Sequence, residues 1–384
     1  MTWMSWLLVA SLPIVLAACA HSREPGNSVV SALPGPADSL DGVVKRTYTV
    51  YGFGLESGRV LPEMTLAYET YGRLAPDGRN AILITHGFTS SQHAAGRYTA
   101  ADAAPGWWDG LIGPGKAIDT NRYFVISSNM LGSSYGSTAP ASTNPTTGRR
   151  YGPDFPTITL RDVVTAQRLL LDGLGVQRLV AVAGPSFGGY QAFQWAVTYP
   201  EHMLGIVPVV SAPKGSGGEA AVASLVKSLA ADPGWNGGWH YEMGGIMPTL
   251  TAMRLDTLRR YGANEVLART VADPEARDVR LRQMAETWAL EFDPNSLVAL
   301  RKASVAFDAE RDLRKVKARV LYVLSRTDKL FPPSIAPGVM DRMAAAGIDA
   351  RYVEIDTELG HSASGPEWQK WAPALKEFLT SLER

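Results

Sequence analysis

One serine in this chain has neighbours that could make it a nucleophile. Ser186 is the middle residue of Gly184–Gly188, which reads Gly-Pro-Ser-Phe-Gly and follows the apolar run Leu179–Ala183. Residues 189–196 then read as a helix. The flanking glycines let the backbone reverse tightly, so the serine hydroxyl stands exposed at the end of the strand. This strand, turn and helix predict a catalytic serine. The alternative is a glycine-rich loop without chemistry.

Two later residues could activate that serine. A serine hydroxyl needs a base to remove its proton and a third group to hold the base. The chain resembles α/β-hydrolases, in which the partners come in the order Ser, Asp or Glu, His, each after a strand. Asp328 follows the apolar run that ends at Ser325, and His361 follows the run that ends at Ile355. We therefore predict Asp328 as the orienting acid and His361 as the base, with Asp356 as the competing acid.

Acyl transfer also needs hydrogen-bond donors for the oxyanion that develops on the substrate. The backbone N–H of Phe187 is one candidate, because it follows the nucleophile at the start of a helix. The second is expected in the loop after Ile84, where we assign the N–H of Phe88, with Gly87 as the alternative. His86 in the same loop is predicted to be structural.

A sheet is needed to bring these loops together. Short apolar runs at 81–85, 123–127 and 319–325 are typical of buried parallel strands, with helical patterns between them. Strand signals stop near residue 214, and residues 219 to about 310 read as helices. The sequence predicts an α/β-hydrolase fold, a mostly parallel sheet flanked by helices with an inserted helical lid. Its parts are core segment 42–213, lid 214–316 and core segment 317–384.

Composition and charge exclude several classes of function. Of the 384 residues, 46% are hydrophobic and 19% charged, as in ordinary globular proteins. Lys plus Arg and Asp plus Glu number 37 each, and no basic cluster is interleaved with aromatic residues. We expect no nucleic-acid partner, no metal site and no bound organic cofactor, because phosphate-binding loops and Cys/His metal spacings are also missing. The expected partner is a small-molecule ester or acyl donor.

The amino terminus predicts export and a lipid anchor. The apolar stretch 7–18 suits the core of a secretion signal and ends in Leu-Ala-Ala-Cys, which resembles a lipoprotein processing site. We predict a signal peptide over 1–18, lipidation of Cys19 and a flexible tether over 19–41. Ala20 favours delivery to the periplasmic side of an outer membrane. The alternatives are a simple secretion signal, an uncleaved anchor and an over-extended start site, and the last of these implies a cytoplasmic enzyme.

Longer motifs carry a more specific resemblance. Residues 106–116, 128–132, 135–138 and 151–156 are similar to stretches of the homoserine O-acetyltransferase family, and the likeness runs from about residue 66 to the last helix. The resemblance implies a helical lid, a dimer formed through that lid and ping-pong transfer of an acetyl group through an acyl-serine.

The same resemblance implies residue roles. It supports Ser186, Asp328 and His361 as the triad, with Phe88 and Phe187 as oxyanion donors. In the lid, Arg254 and Tyr261 keep the seven-residue spacing of the Arg and Tyr that bind homoserine in the family. A solvated helix face is the alternative interpretation of that pair.

Departures from the family pattern lie beside the predicted site. Ser362 follows the catalytic histidine, where the family has an Asp that receives the substrate ammonium. A charge-assisted hydrogen bond contributes roughly 1.5–3 kcal/mol, so its loss weakens recognition of an amino acid. Residues 86–91 and Pro185 also differ from the family pattern.

The departures and the predicted export favour hydrolysis of a small-acyl ester through an acyl-Ser186 intermediate. Acetyl-CoA and homoserine are cytoplasmic metabolites, which an exported enzyme would not meet. The first alternative is a homoserine O-acetyltransferase, acting from acetyl-CoA on L-homoserine, or a related alcohol O-acyltransferase. The second is a non-catalytic binding lipoprotein on a hydrolase scaffold.

Overall fold

The computed structural model describes residues 40–383 of the chain. The predicted signal peptide, Cys19 and nearly all of the predicted tether lie outside the described residues. Within 40–383, no helix combines the length and apolar character needed to cross a bilayer. Nor does any group of three or more His, Cys, Asp or Glu side chains gather there as metal ligands would.

In the described part of the chain, a single eight-stranded sheet forms the centre of the fold. Its strands, in spatial order, are β1 (Arg46–Gly54), β2 (Val60–Tyr71), β6 (Phe124–Ser128), β3 (Ala81–Thr85), β7 (Leu179–Pro185), β8 (Met203–Val209), β9 (Arg319–Ser325) and β10 (Ala350–Ile355). The pairs β1–β2 and β2–β6 are antiparallel, and every later pair is parallel. A separate pair joins β4 (Ile112–Gly113) to β5 (Ile118–Asp119).

Helices cover both faces of this sheet. They are α1 (Leu160–Gly173), α2 (Phe187–Thr198), α3 (Gly218–Ala230), α4 (Met247–Tyr261), α5 (Ala263–Ala268), α6 (Pro274–Glu291), α7 (Pro294–Ala306), α8 (Ala336–Ala345) and α9 (Ala372–Ser381). Buried side chains of α1 and α2 share one core cluster with the sheet, and those of α9 share a second cluster on the opposite face. The fold predicted from the sequence, an α/β-hydrolase with a mostly parallel sheet, is confirmed.

The local sequence explains where several helices begin. Thr159 and Asp162 form a reciprocal capping box at the start of α1, as their spacing predicts. In α4, α6 and α7 a proline occupies one of the first two helical positions, where its missing N–H has no cost. In α4 that proline is Pro248, which lies in the first turn. The five helices α3 to α7 all lie between β8 and β9, inside the segment predicted as the lid.

Close packing between β3 and the turn after β7 allows no side chain at one glycine. A Cβ placed on Gly188 would lie 2.2 Å from the backbone oxygen of Thr85. Gly54 contrasts with it, because a Cβ there would meet nothing within 4 Å. The turn that carries Ser186 therefore approaches the end of β3 at backbone distance.

Gly188→Ala is expected to destabilise the fold by about 1–3 kcal/mol, because overpacking forces the backbone of β3 or α2 to shift. Gly54→Ala is the matched control and should change the free energy of unfolding by less than about 0.5 kcal/mol. Urea unfolding of both variants measures the difference. Equal stabilities would contradict the close approach.

Candidate active site

The chain reverses at Ser186 in a strained conformation. Ser186 has φ of 57° and ψ of −121°, between the end of β7 and the start of α2. Positive φ is unfavourable for a residue with a Cβ and costs of order 1–3 kcal/mol. Two hydrogen bonds hold the residue: its N–H donates to the oxygen of Val209 at 2.8 Å, and Ser211 Oγ donates to its carbonyl at 2.8 Å. This conformation places the serine side chain at the carboxyl edge of the sheet.

Asp328 and His361 form a buried pair on the loops after β9 and β10. His361 Nδ1 lies 2.8 Å from Asp328 Oδ2, and the two residues are 7% and 3% exposed. Asp328 Oδ1 accepts from the N–H groups of Leu330 and Phe331, at 2.8 and 3.2 Å. Because the carboxylate accepts at Nδ1, the proton of a neutral His361 sits there and Nε2 is left with its lone pair. That tautomer is the one a general base requires.

Two aromatic rings enclose the imidazole of His361. The ring of Tyr261 in the lid lies 4.8 Å away between centroids, and that of Phe331 stacks at 5.7 Å. Burial raises the pKa of the Tyr261 hydroxyl, which therefore stays protonated. The Ser186 hydroxyl makes no hydrogen bond to His361 within residues 40–383, a common arrangement in enzymes without substrate. The sheet nevertheless brings all three loops to one edge, since β7, β8, β9 and β10 are consecutive parallel neighbours.

The loop after β3 lies against the serine. A Cβ on Gly87 would be 3.8 Å from the Cβ of Ser186, and the rings of Phe88 and Phe187 lie 5.8 Å apart. Both phenylalanines predicted as oxyanion donors thus flank the serine. The first N–H groups of a helix have no partner within the helix, so that of Phe187 is free to bind an anion.

His86 supports this loop without taking part in proton transfer. Its Nε2 accepts from the N–H of Met130 at 3.2 Å, and its Nδ1 donates to the oxygen of Gly87 at 2.8 Å. Burial lowers the pKa of His86 to about 4, so the ring is neutral at pH 7. Both ring nitrogens are occupied by backbone groups.

The lid contacts the same loop through two side chains that meet at Thr89. Arg254 Nη1 donates to Thr89 Oγ1 at 2.7 Å, and Trp288 Nε1 donates to the Thr89 carbonyl at 3.1 Å. The guanidinium of Arg254 lies over the Trp288 ring, 5.1 Å from its centroid. Its Nε is buried and has no hydrogen-bond partner in the described chain. Arg254 is therefore not on a solvated helix face, the alternative left open by the sequence.

Tyr135 and Ser362 complete the surroundings. Tyr135 has φ of 74°, and burial raises the pKa of its hydroxyl, with the nearby Arg254 acting in the opposite direction. Ser362 is half-buried beside His361 and makes no hydrogen bond within the described residues. Sequence reasoning missed Thr89, Trp288, Phe331 and Tyr135. Tyr135 lay in a motif shared with the family, and Thr89 lay in the loop 86–91 that departs from the family pattern.

Comparison with known proteins identifies the family. The family model for the alpha/beta hydrolase fold matches residues 80–363. The chain is 40% identical over 352 residues to homoserine O-acetyltransferase of Symbiobacterium thermophilum, which covers 86% of this chain and 92% of that protein. This chain is an α/β-hydrolase of the homoserine O-acetyltransferase family. It is also 39% identical over 334 residues to homoserine O-succinyltransferase of Methylibium petroleiphilum, covering 80% of this chain and 86% of that one.

Solved structures extend the likeness to an esterase. Homoserine O-acetyltransferase from Bacillus anthracis matches with a TM-score of 0.79 and 32% identity, over 88% of this chain and 97% of that one. Esterase E22 matches with a TM-score of 0.80 and 32% identity, over 88% and 100%. This member of the family is thus an enzyme of acyl-transfer chemistry, as the sequence predicts. The preference for hydrolysis is not confirmed, because these curated relatives are transferases.

Asp328→Asn is expected to lower kcat for p-nitrophenyl acetate by about 10³–10⁴-fold, because an amide in place of the carboxylate favours the wrong tautomer of His361. Asp356→Asn is the matched control. The Asp356 side chain is 85% exposed and pairs with Arg326 at the surface, so kcat should change by less than about twofold. Similar losses in both variants would contradict the assignment of the orienting acid.

Proposed function

We propose that this enzyme transfers an acetyl group, by way of Ser186, to the hydroxyl of L-homoserine. The proposal rests on the buried guanidinium of Arg254 in the lid, together with the transferase relatives. An acceptor with a carboxylate supplies the negative charge that Arg254 lacks among the described residues. The Nε atom of Arg254 has no partner and could complete a two-point contact with that carboxylate.

In the proposed mechanism His361 takes up a proton and releases it again in each of two half-reactions. Nε2 of His361 takes the proton from Ser186 as Oγ attacks the acetyl carbonyl of the donor, and Asp328 stabilises the imidazolium. The N–H groups of Phe88 and Phe187 bind the oxyanion, and the donor's leaving group departs with the proton from His361. The acceptor hydroxyl then gives its proton to His361 and attacks the acyl-serine, which restores Ser186 Oγ–H.

Lid contacts connect acceptor binding to this mechanism. Arg254 and Trp288 both bond to Thr89, the residue that follows the proposed oxyanion donor Phe88. A carboxylate on Arg254 would neutralise a cation held over an indole ring and keep the lid on the loop. Tyr261, on the same helix, packs on the proposed base. These contacts support an acceptor bound beneath α4 with its hydroxyl facing His361.

Arg254→Gln tests the proposal. The KM for L-homoserine should rise about tenfold to a hundredfold, because a charge-assisted hydrogen bond is lost. Hydrolysis of p-nitrophenyl acetate needs no carboxylate contact and should fall by a smaller factor, since it loses only the support that Arg254 gives to Thr89. Arg260→Gln on the same helix is the control, because its side chain is 60% exposed and its one ion pair within residues 40–383 is with Asp256. An unchanged KM for homoserine in Arg254→Gln would refute the proposed carboxylate site.

Hydrolysis of a small-acyl ester is the second candidate, and Ser362 favours it. An uncharged side chain beside His361 leaves an acceptor ammonium without an anionic partner at that position. Water at roughly 50 M then competes well for the acyl-enzyme, because transfer depends on the high effective concentration of a positioned acceptor. The likeness to esterase E22 supports the same outcome.

Ser362→Asp should shift the fate of the acyl-enzyme towards transfer. With p-nitrophenyl acetate and millimolar L-homoserine, we expect the ratio of O-acetylhomoserine to free acetate to rise about tenfold, the value of one charge-assisted contact. Ser362→Asn has nearly the same shape without the charge and should leave the ratio near that of the natural protein. A ratio that rises equally in both variants would exclude an electrostatic role for position 362.

The predicted lipid anchor on Cys19 bears on the choice between transfer and hydrolysis. An enzyme held in the cell envelope would need an acetyl donor other than acetyl-CoA, so the anchor favours hydrolysis and a cytoplasmic location favours transfer.

Exposed apolar side chains of the lid support the predicted dimer through the lid. They are Met243, Met247, Val279, Met284 and Leu290. The lipid anchor and the dimer both remain predictions.

A further inference from the structure

A basic cleft lies where the lid meets the core. The cavity has a volume of about 700 Å³. The cations that line it are Arg59, Arg149, Arg150 and Lys302, and the only acidic residue in its wall is Asp154. Arg59 lies just before β2 and Lys302 lies in α7, so the cations come from both the core and the lid. The wall contains none of the residues assigned to acyl transfer.

These cations are not neutralised by the protein. Within residues 40–383, none of the four forms an ion pair with a carboxylate. Several exposed arginines elsewhere in the described chain do form ion pairs, as Arg319 does with Asp349 at 2.7 Å. The whole chain has a formal net charge of zero, so this local excess of positive charge is not a reflection of overall composition.

Aromatic contacts hold two of the guanidinium groups in place. Arg149 lies over the Trp239 ring, 5.5 Å from its centroid, and Arg150 lies over that of Tyr241 at 4.9 Å. Arg150 Nη1 also donates to the oxygen of Ala141 at 2.8 Å. Each guanidinium therefore needs little further ordering to bind an anion, which favours affinity.

A buried hydroxyl in the wall of the cleft has no partner. Tyr151 is only 6% exposed, and its hydroxyl makes no hydrogen bond within the described residues. A buried polar group without a partner costs free energy unless a ligand or water satisfies it. Tyr151 is among the residues that line the cleft, although its hydroxyl itself is enclosed by protein.

We propose that the cleft binds a small anion with two linked phosphate groups. Arginine pairs with phosphate oxygens through parallel N–H donors, and four cations against the single carboxylate of Asp154 match the charge of a diphosphate better than that of one phosphate. Trp239 does not offer a free face for a nucleobase. Arg149 covers one side of its ring, and the ring lies so close to Gly152 that a Cβ there would be 2.8 Å from Trp239 Cζ3. The phosphates, rather than a base, are the recognised part.

Calorimetric titration of the full-length chain with pyrophosphate tests the proposal. We expect saturable binding with a Kd below about 1 mM at low ionic strength, weakening as salt is added. The double substitution Arg149→Gln/Arg150→Gln should weaken binding at least about tenfold. Arg280→Gln/Arg282→Gln removes two exposed, unpaired arginines from α6 and should leave the Kd unchanged. Esterase activity and thermal unfolding confirm that each variant is folded.

Further titrations separate the possible sources of the phosphates. ADP should bind about as well as pyrophosphate if the diphosphate is the recognised group. Vesicles of phosphatidylglycerol and phosphatidylcholine in equal parts test a lipid surface instead. No heat with pyrophosphate, or equal binding by both double variants, would overturn the proposal. Vesicle binding without pyrophosphate binding would also overturn it and assign the cations to a membrane surface.

Discussion

The strained turn at Ser186 is the constraint on which the rest of the site depends. A serine at φ of 57° is unfavourable on its own and persists because hydrogen bonds with neighbouring segments of the chain stabilise it. Its N–H is held by the end of β8, and its carbonyl by Ser211. The helix α2 starts immediately after the serine, so its first N–H groups lie where we propose that the oxyanion forms. Strand packing thus accounts for the position of the serine and for one of the two proposed oxyanion donors.

Thr89 connects the lid to the loop that lies beside Ser186. Its side chain is held by Arg254 and its carbonyl by Trp288, and both residues belong to lid helices. Phe88, one residue earlier, provides the second proposed oxyanion donor. The proposed acceptor cation and the proposed oxyanion donor are therefore linked through one residue. In the proposed mechanism these contacts hold the lid over the loop beside Ser186, which would exclude water from the acyl-serine until an acceptor binds.

The sheet and the order of the triad follow from local patterns, whereas the contacts around the triad do not. Short apolar runs predict the strands, and the glycine-flanked Ser186 predicts the turn and the helix that follows it. These signals can be read because each spans only a few residues. The pair Asp328 and His361 follows from strand order. The contacts of Arg254 and Trp288 with Thr89 span 165 and 199 residues, and no pattern within one segment specifies them. Phe331 was missed for the same reason, since its ring meets the histidine only through the fold.

The balance between transfer and hydrolysis therefore reduces to the charges around one bound acceptor. Arg254 supplies a buried cation, which favours an acceptor with a carboxylate. Ser362 supplies no anion, so an ammonium group gains less there than a carboxylate gains at Arg254. Water needs neither contact and is present at roughly 50 M, so an acceptor must gain effective concentration from binding to compete. We expect a site with one strong charged contact to lie between an efficient transferase and an esterase, so that the charge at position 362 becomes the deciding difference.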